Sequence, residues 1–191
     1  MIRLAAIALL GFSLLGFAVP AIAATPVPVT AFEGIALVGG GDVTIRRGPV
    51  HRVTVLGGDL TKGEIKVERG SLVIRSCRRS CTNNRLTVAV ETPEIEALSL
   101  HGGGSMRAAR GFSGQHSLSA SVNGGGTIDL AAVEAETVSA SINGGGRILT
   151  DARRDLAVSI NGDGRVTYLA DPQISVSIQG RGTVTRADDG Q

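Results

Sequence analysis

The chain has 191 residues, 42% of them hydrophobic and 3% aromatic with no Trp, and its formal net charge is +2. That length suits one domain with a small appendage, and so small a charge excludes the basic footprint of a nucleic-acid binder. A core short of rings must be filled by Val, Ile, Leu and Ala, which suits regular stacked layers, and the 27 Gly residues imply many tight turns.

The first residues read as a targeting segment. Arg3 supplies a positive start, Leu4 to Val19 is apolar, Pro20 breaks the run, and Ala21-Ile22-Ala23 fits the small-x-small cleavage rule. This predicts a signal peptide over 1–23. A membrane anchor is the alternative, but the apolar run is short of the roughly 20 residues a span needs, and a cleavage site follows it directly. No Cys lies near that site to carry a lipid, and no later stretch is apolar enough to cross a bilayer. The mature protein is therefore expected in the periplasm or at the cell surface, with no integral membrane segment.

Residues 24–30 contain Pro26 and Pro28 and read as an extended linker. The domain is expected over 31–188, with 189–191 as a tail. From Phe32 to Val90 apolar residues fall at i and i+2, and each run stops at turn formers. Val43-Thr44-Ile45 leads to Gly48-Pro49, Val53-Thr54-Val55 to Gly57-Gly58-Asp59, and Ile65-Lys66-Val67-Glu68 to Arg69-Gly70. Leu72-Val73-Ile74-Arg75 leads to a cysteine loop, and Leu86-Thr87-Val88-Ala89-Val90 ends at Thr92-Pro93. That is a strand pattern, and no window holds a capped helical period. Asp129 to Val138 has a helix-compatible density of Ala and Glu but is short, and reads as strand and turn.

Cys77 and Cys81 enclose Arg78-Arg79-Ser80. In an oxidising compartment a disulfide closing this loop is the default. Free thiols remain an alternative. Metal or redox chemistry fits less well, because no further ligands stand nearby and the spacing is not that of a redox pair.

After residue 97 one pattern recurs. Leu118-Ser-Ala-Ser-Val-Asn-Gly-Gly-Gly-Thr-Ile128 returns as Val138 to Ile148, Leu156 to Val166 and Ile174 to Val184, with an outlying relative at Leu98 to Met106. The first Gly of each copy stands at 102, 124, 144, 162 and 180, so the gaps are 22, 20, 18 and 18. A helix-free period near 20 predicts an all-β β-solenoid, a right-handed single-stranded parallel β-helix with coils of about 18–22 residues. One coil cannot bury its apolar face, whereas stacked coils can, and their backbones pair from coil to coil. The glycines supply sharp corners. Stacking is expected to align Asn123, Asn143, Asn161 and Gln179 in an amide ladder, with His101 as a cap. Arg107 to Ser117 is longer and is expected to bulge.

Phe32-x-x-Ile35, Gly70-Ser71-Leu72-Val73-Ile74, Leu86-Thr87-Val88, Pro93-Glu94-Ile95-Glu96-Ala97-Leu98-Ser99-Leu100 and the Ile-Asn-Gly-x-Gly blocks occur in an order that resembles the "putative auto-transporter adhesin head GIN domain" family, formerly a domain of unknown function. The resemblance covers about Thr30 to Ala187. It implies a β-solenoid-like fold, an exported bacterial protein, and no catalytic residues. Two departures stand out. The Cys77–Cys81 loop is not part of the family pattern, and the chain reaches Gln191 without a C-terminal β-barrel segment, so it is not expected to export itself.

Enzymatic and metal chemistry fare poorly against this background. A calcium-binding repeat needs Asp where this repeat has an apolar residue, and Asp42 and Asp163 are isolated. Phosphate cradling lacks a following helix. Of the histidines His51, His101 and His116, the last reads as a solvated loop residue. Asp151, Arg153, Arg154, Asp155 and Asp171 can cluster on one edge, as in polysaccharide lyases or hydrolases with an acidic groove, although a solvated turn row explains them as well. Arg147 and Arg165, with Arg181, form a candidate basic stripe. The reading is a non-enzymatic binding or structural module, with no catalytic residue, metal or cofactor predicted. Its expected partner is an envelope polysaccharide or another surface protein, and a homo-oligomer is compatible with exposed strand edges.

Overall fold

A computed structural model describes residues 24–187 apart from 80, 82 and 113. The predicted signal peptide and the tail lie outside the described residues. In chain order the strands are β1 (Thr25–Val27), β2 (Gly34–Val38), β3 (Gly41–Arg47), β4 (Arg52–Gly57), β5 (Glu64–Glu68), β6 (Ser71–Arg75), β7 (Leu86–Thr92) and β8 (Ala97–Gly102). Then follow β9 (Ser105–Ala108), β10 (Gln115–Gly124), β11 (Thr127–Asn143), β12 (Arg147–Gly162), β13 (Arg165–Tyr168), β14 (Gln173–Gly180) and β15 (Thr183–Arg186). The fold is all-β, with no helix among the described residues. All the strands join one 15-stranded mixed sheet that wraps a single apolar core.

The repeat copies stack in parallel and in register. Val122 pairs with Leu100 and Ile142, Ile142 with Ile160, and Ile160 with Ile178. Beyond the corner, Met106, Ile128, Ile148, Val166 and Val184 align in the same way. Alternation sends these residues to one face of each strand, so like stacks on like into continuous apolar rows. Ile142 and Ile148 are almost fully buried, and each such side chain stabilises the fold by roughly 1.5–3 kcal/mol. The Ala- and Glu-bearing stretch from Asp129 to Val138, read as strand and turn, is strand throughout, lying within β11 with register shifts in place of a turn.

The corners show why Gly-x-Gly recurs. The first Gly has a positive φ, +122° at Gly144, and a Cβ there would lie 2.7 Å from the carbonyl oxygen of Gly124 in the layer below. A Cβ at the third Gly would strike both backbone and the inward apolar residue of the same neighbour. At the middle Gly145 nothing lies within 4 Å, and later copies carry Asp163 and Arg181 at that place. Corner amides pair from layer to layer, as in Arg165 N–H to the Gly146 carbonyl at 2.9 Å.

Two features depart from a purely parallel stack built in chain order. The β2/β3 layer lies between β6/β7 on one side and β8/β9 on the other. The chain therefore begins inside the stack, steps outward, and returns. Beyond β6/β7 the pairing turns antiparallel, with β5 on β6, β4 on β7 and β1 on β4. Within the stretch read as a linker, Thr25–Val27 is paired into the sheet as β1.

Arg107 to Ser117, expected to bulge, is anchored. Phe112 enters the core, and Arg47 Nη1 donates to the Gly111 carbonyl at 3.3 Å. Cys77 and Cys81 are joined by a disulfide. Asn84 Nδ2 ties that loop down by donating to the carbonyls of Ser76 at 2.6 Å and Asp59 at 3.0 Å.

Candidate binding surface

Register builds a polar stripe on the strands that follow the corners. Asp42 pairs with Ser105, Ser105 with Thr127, Thr127 with Arg147, Arg147 with Arg165, and Arg165 with Thr183. Each is the first outward position after a glycine corner, so the turn chemistry fixes its place. Neighbouring members stand about 4.8 Å apart, the strand spacing. At one end Ser105 Oγ donates to Asp42 Oδ1 at 2.6 Å, and Arg85 reaches the same carboxylate at 3.5 Å. At the other end Arg147 and Arg165 are both exposed, and neither has an ion-pair partner among the described residues. Arg181, the third arginine of the predicted stripe, sits on a corner instead and forks onto Asp163, with Nη2 at 3.0 Å and Nε at 3.2 Å. That hydrogen bonding holds the Asp163 carboxyl below its ordinary range.

A second site forms where β11 and β12 cross the third side of each layer. Glu134 is in register with Asp151, and Arg153 Nη2 reaches both carboxylates, at 2.8 and 2.7 Å. Asp151 is buried, its Oδ1 has no hydrogen-bond partner among the described residues, and burial pushes its carboxyl above the ordinary value. The Arg153 charge works against that rise and Glu134 adds to it. Arg110, Phe112, Glu134 and Asp151 line an open groove of about 620 Å³ beside the anchored loop. Next to it Arg154 spans Asp155 at 2.8 Å and Glu136 at 3.4 Å, and His116 Nδ1 lies 2.9 Å from Glu136.

Of the predicted edge cluster, Asp151, Arg153, Arg154 and Asp155 come together, while Asp171 stands apart, 3.9 Å from Arg186. Glu134 and Glu136 are the members that sequence reasoning missed. Their i, i+2 spacing on a strand puts both on one face, and that was the available signal. Asn123, Asn143, Asn161 and Gln179 share one backbone register, with His101 opposite Asn123. Their side chains are exposed, and no amide–amide hydrogen bond joins them among the described residues. His101 Nε2 instead lies 3.0 Å from Ser99 Oγ. His51 stacks edge-on to Phe32 at 4.6 Å and lies 3.3 Å from Thr92 Oγ1. Among the described residues no three His, Cys, Asp or Glu side chains converge to hold a metal ion, and no helix is long and apolar enough to cross a membrane.

Stacked strand layers, glycine corners and an outward polar stripe define a repetitive all-β protein whose surface chemistry lies on its layer faces. The chain belongs to the family described as "putative auto-transporter adhesin, head GIN domain", whose profile matches residues 31–185. No curated protein matches it. Among solved structures it is similar to a putative adhesin from Bacteroides fragilis, at 17% identity over 86% of this chain and 96% of that one, with a TM-score of 0.48. It is also similar to a putative lipid binding protein from Parabacteroides distasonis, at 18% identity over 86% and 96%, with a TM-score of 0.37. A putative cell adhesion protein from Clostridium sporogenes matches at 12% identity over 85% and 97%, with a TM-score of 0.36.

Proposed function

We propose that this protein is an exported, non-enzymatic binding module of the bacterial envelope, a right-handed β-solenoid that carries an anionic polysaccharide along the stripe Ser105, Thr127, Arg147 and Arg165. The observation that carries this reading is the pair Arg147 and Arg165, stacked on adjacent strands, exposed and without acidic partners among the described residues. Two like charges this close repel one another, and an anionic ligand relieves that repulsion. Hydroxyls on the neighbouring layers offer hydrogen bonds to sugar. Family membership supports a binding role, and the Cys77–Cys81 disulfide supports an oxidising compartment.

The test is a glycan-array and whole-cell binding screen of the wild type and of Arg147→Gln/Arg165→Gln. Binding confined to acidic glycans, weakened by salt and reduced at least tenfold in the double variant, is the expected result. Uniform failure to bind would leave a scaffold role.

Asp151 favours a second reading, a carbohydrate-active enzyme, since a carboxyl with a raised pKa beside Glu134 in a groove resembles a general acid. Against it, the two carboxylates sit side by side in register and share one guanidinium. A glycosidase pair faces across the scissile bond.

A further inference from the structure

The two ends of the stacked sheet are finished differently. At the β1/β5 end the edges left unpaired among the described residues carry the usual protections against further pairing. Pro26 sits in β1, and Glu64, Lys66 and Glu68 of β5 form ion pairs with one another and with Arg75. At the opposite end, among the described residues, β14 pairs only with β12 and its other edge is unpaired. Its inward residues continue the buried apolar rows, yet Ile174, Val176 and Ile178 are 40%, 46% and 40% exposed, because no layer among the described residues covers them. The strand holds no charge, no proline and no bulge.

Its sequence is also a palindrome. Gln173-Ile174-Ser175-Val176-Ser177-Ile178-Gln179 reads the same in both directions about Val176. Pro172 and Gly180 flank it, and beyond them stand Asp171 and Arg181, an acid and a base at equal distance from the centre.

We propose that β14 is the interface of a symmetric end-to-end dimer, in which two copies pair their β14 strands antiparallel about a two-fold axis at Val176. Every side chain then meets its own kind: Val176 its equivalent, Ile174 the partner's Ile178, and Gln173 the partner's Gln179. The apolar rows of one copy run on into the other, and the free backbone groups of both edges are paired. Opposite charges come together, Asp171 toward the partner's Arg181 and the reverse. A parallel in-register pairing would instead set acid against acid and base against base. Stacking β14 on the far end of another copy would set an uncharged apolar edge against Pro26 and the charges of β5. The two-fold arrangement is closed, so it stops at two copies rather than forming an open fibre.

The proposal goes beyond the binding stripe and does not rest on it. It is tested by sedimentation of the exported protein over a concentration series, with Val176→Lys, Asp171→Arg and Asp171→Arg/Arg181→Asp as variants. A wild-type dimer is expected. Val176→Lys should raise the dimer Kd at least a hundredfold, while its melting profile at a concentration low enough for the wild type to be monomeric stays unchanged, since its side chain is already half exposed in the monomer. Asp171→Arg should weaken the dimer, and the double variant should regain part of it, the acid now at position 181 standing beside Asp163 and keeping the recovery incomplete. Register is read by cysteine cross-linking under mild oxidation. Val176→Cys should give a covalent dimer, and Ser175→Cys should cross-link with Ser177→Cys but not with itself. A wild type that stays monomeric at high concentration, a dimer indifferent to Val176→Lys, or Ser175→Cys linking to itself would each overturn the proposal.

Discussion

The middle glycine of each corner separates what geometry demands from what composition merely permits. Gly144 and Gly145 are neighbours in sequence, yet only Gly144 combines a positive φ with a carbonyl 2.7 Å from where its Cβ would lie. Gly144→Ala should cost about 3 kcal/mol through backbone strain and the collision with Gly124. Gly145→Ala should stay within about 0.5 kcal/mol. Urea unfolding of the two variants checks the contrast, and equal losses would mean that the corner tolerates no Cβ anywhere. At this scale the sequence was highly legible. The variable middle position of Asn-Gly-x-Gly already marks which glycine has room beside it, because corner geometry is decided within a few residues.

Strands were legible where alternation was local, as in Val43–Ile45 or Leu86–Val90, and so was the register of the repeat, where like residues align. What escaped the sequence was non-local. The shared hold of Arg153 on Glu134 and Asp151 depends on how β11 and β12 slip past one another at their bulges. The antiparallel pairing of β4 and β5, and the slotting of β6/β7 outside β2/β3, leave no mark in any single strand.

The β11/β12 crossing carries a prediction of its own. Burial raises the Asp151 carboxyl, so the folded state favours its protonated form. Its stabilising share is complete below the ordinary carboxylate range and is lost as pH rises through the raised value. Asp151→Asn removes that loss. Measured by urea unfolding, the variant should therefore gain on the wild type between acidic and neutral pH. A difference that stays constant with pH would show that Asp151 is ionised at no cost in the fold.

For the whole molecule, the order of layers matters as much as their number. Each layer contacts mainly its neighbours, as in other repeat architectures. Among the described residues the β14/β15 layer has a neighbour on one side only, whereas the β2/β3 layer is held on both edges by strands that come later in the chain.

This gives the molecule a mechanical polarity. Tension applied from the C-terminal side meets an outer layer first and can peel the sheet one layer at a time, at low force. Tension from the N-terminal side strips the short β1 and then loads β2, an inner layer that must shear from two partners at once. With one handle on Gly145→Cys and the other at either end, single-molecule pulling should record a lower first rupture force beyond β1 at the C-terminal side. Equal forces would remove the distinction. A surface protein held by its N-terminal side would then carry load through its strongest layers, and one held by its C-terminal side would yield in steps.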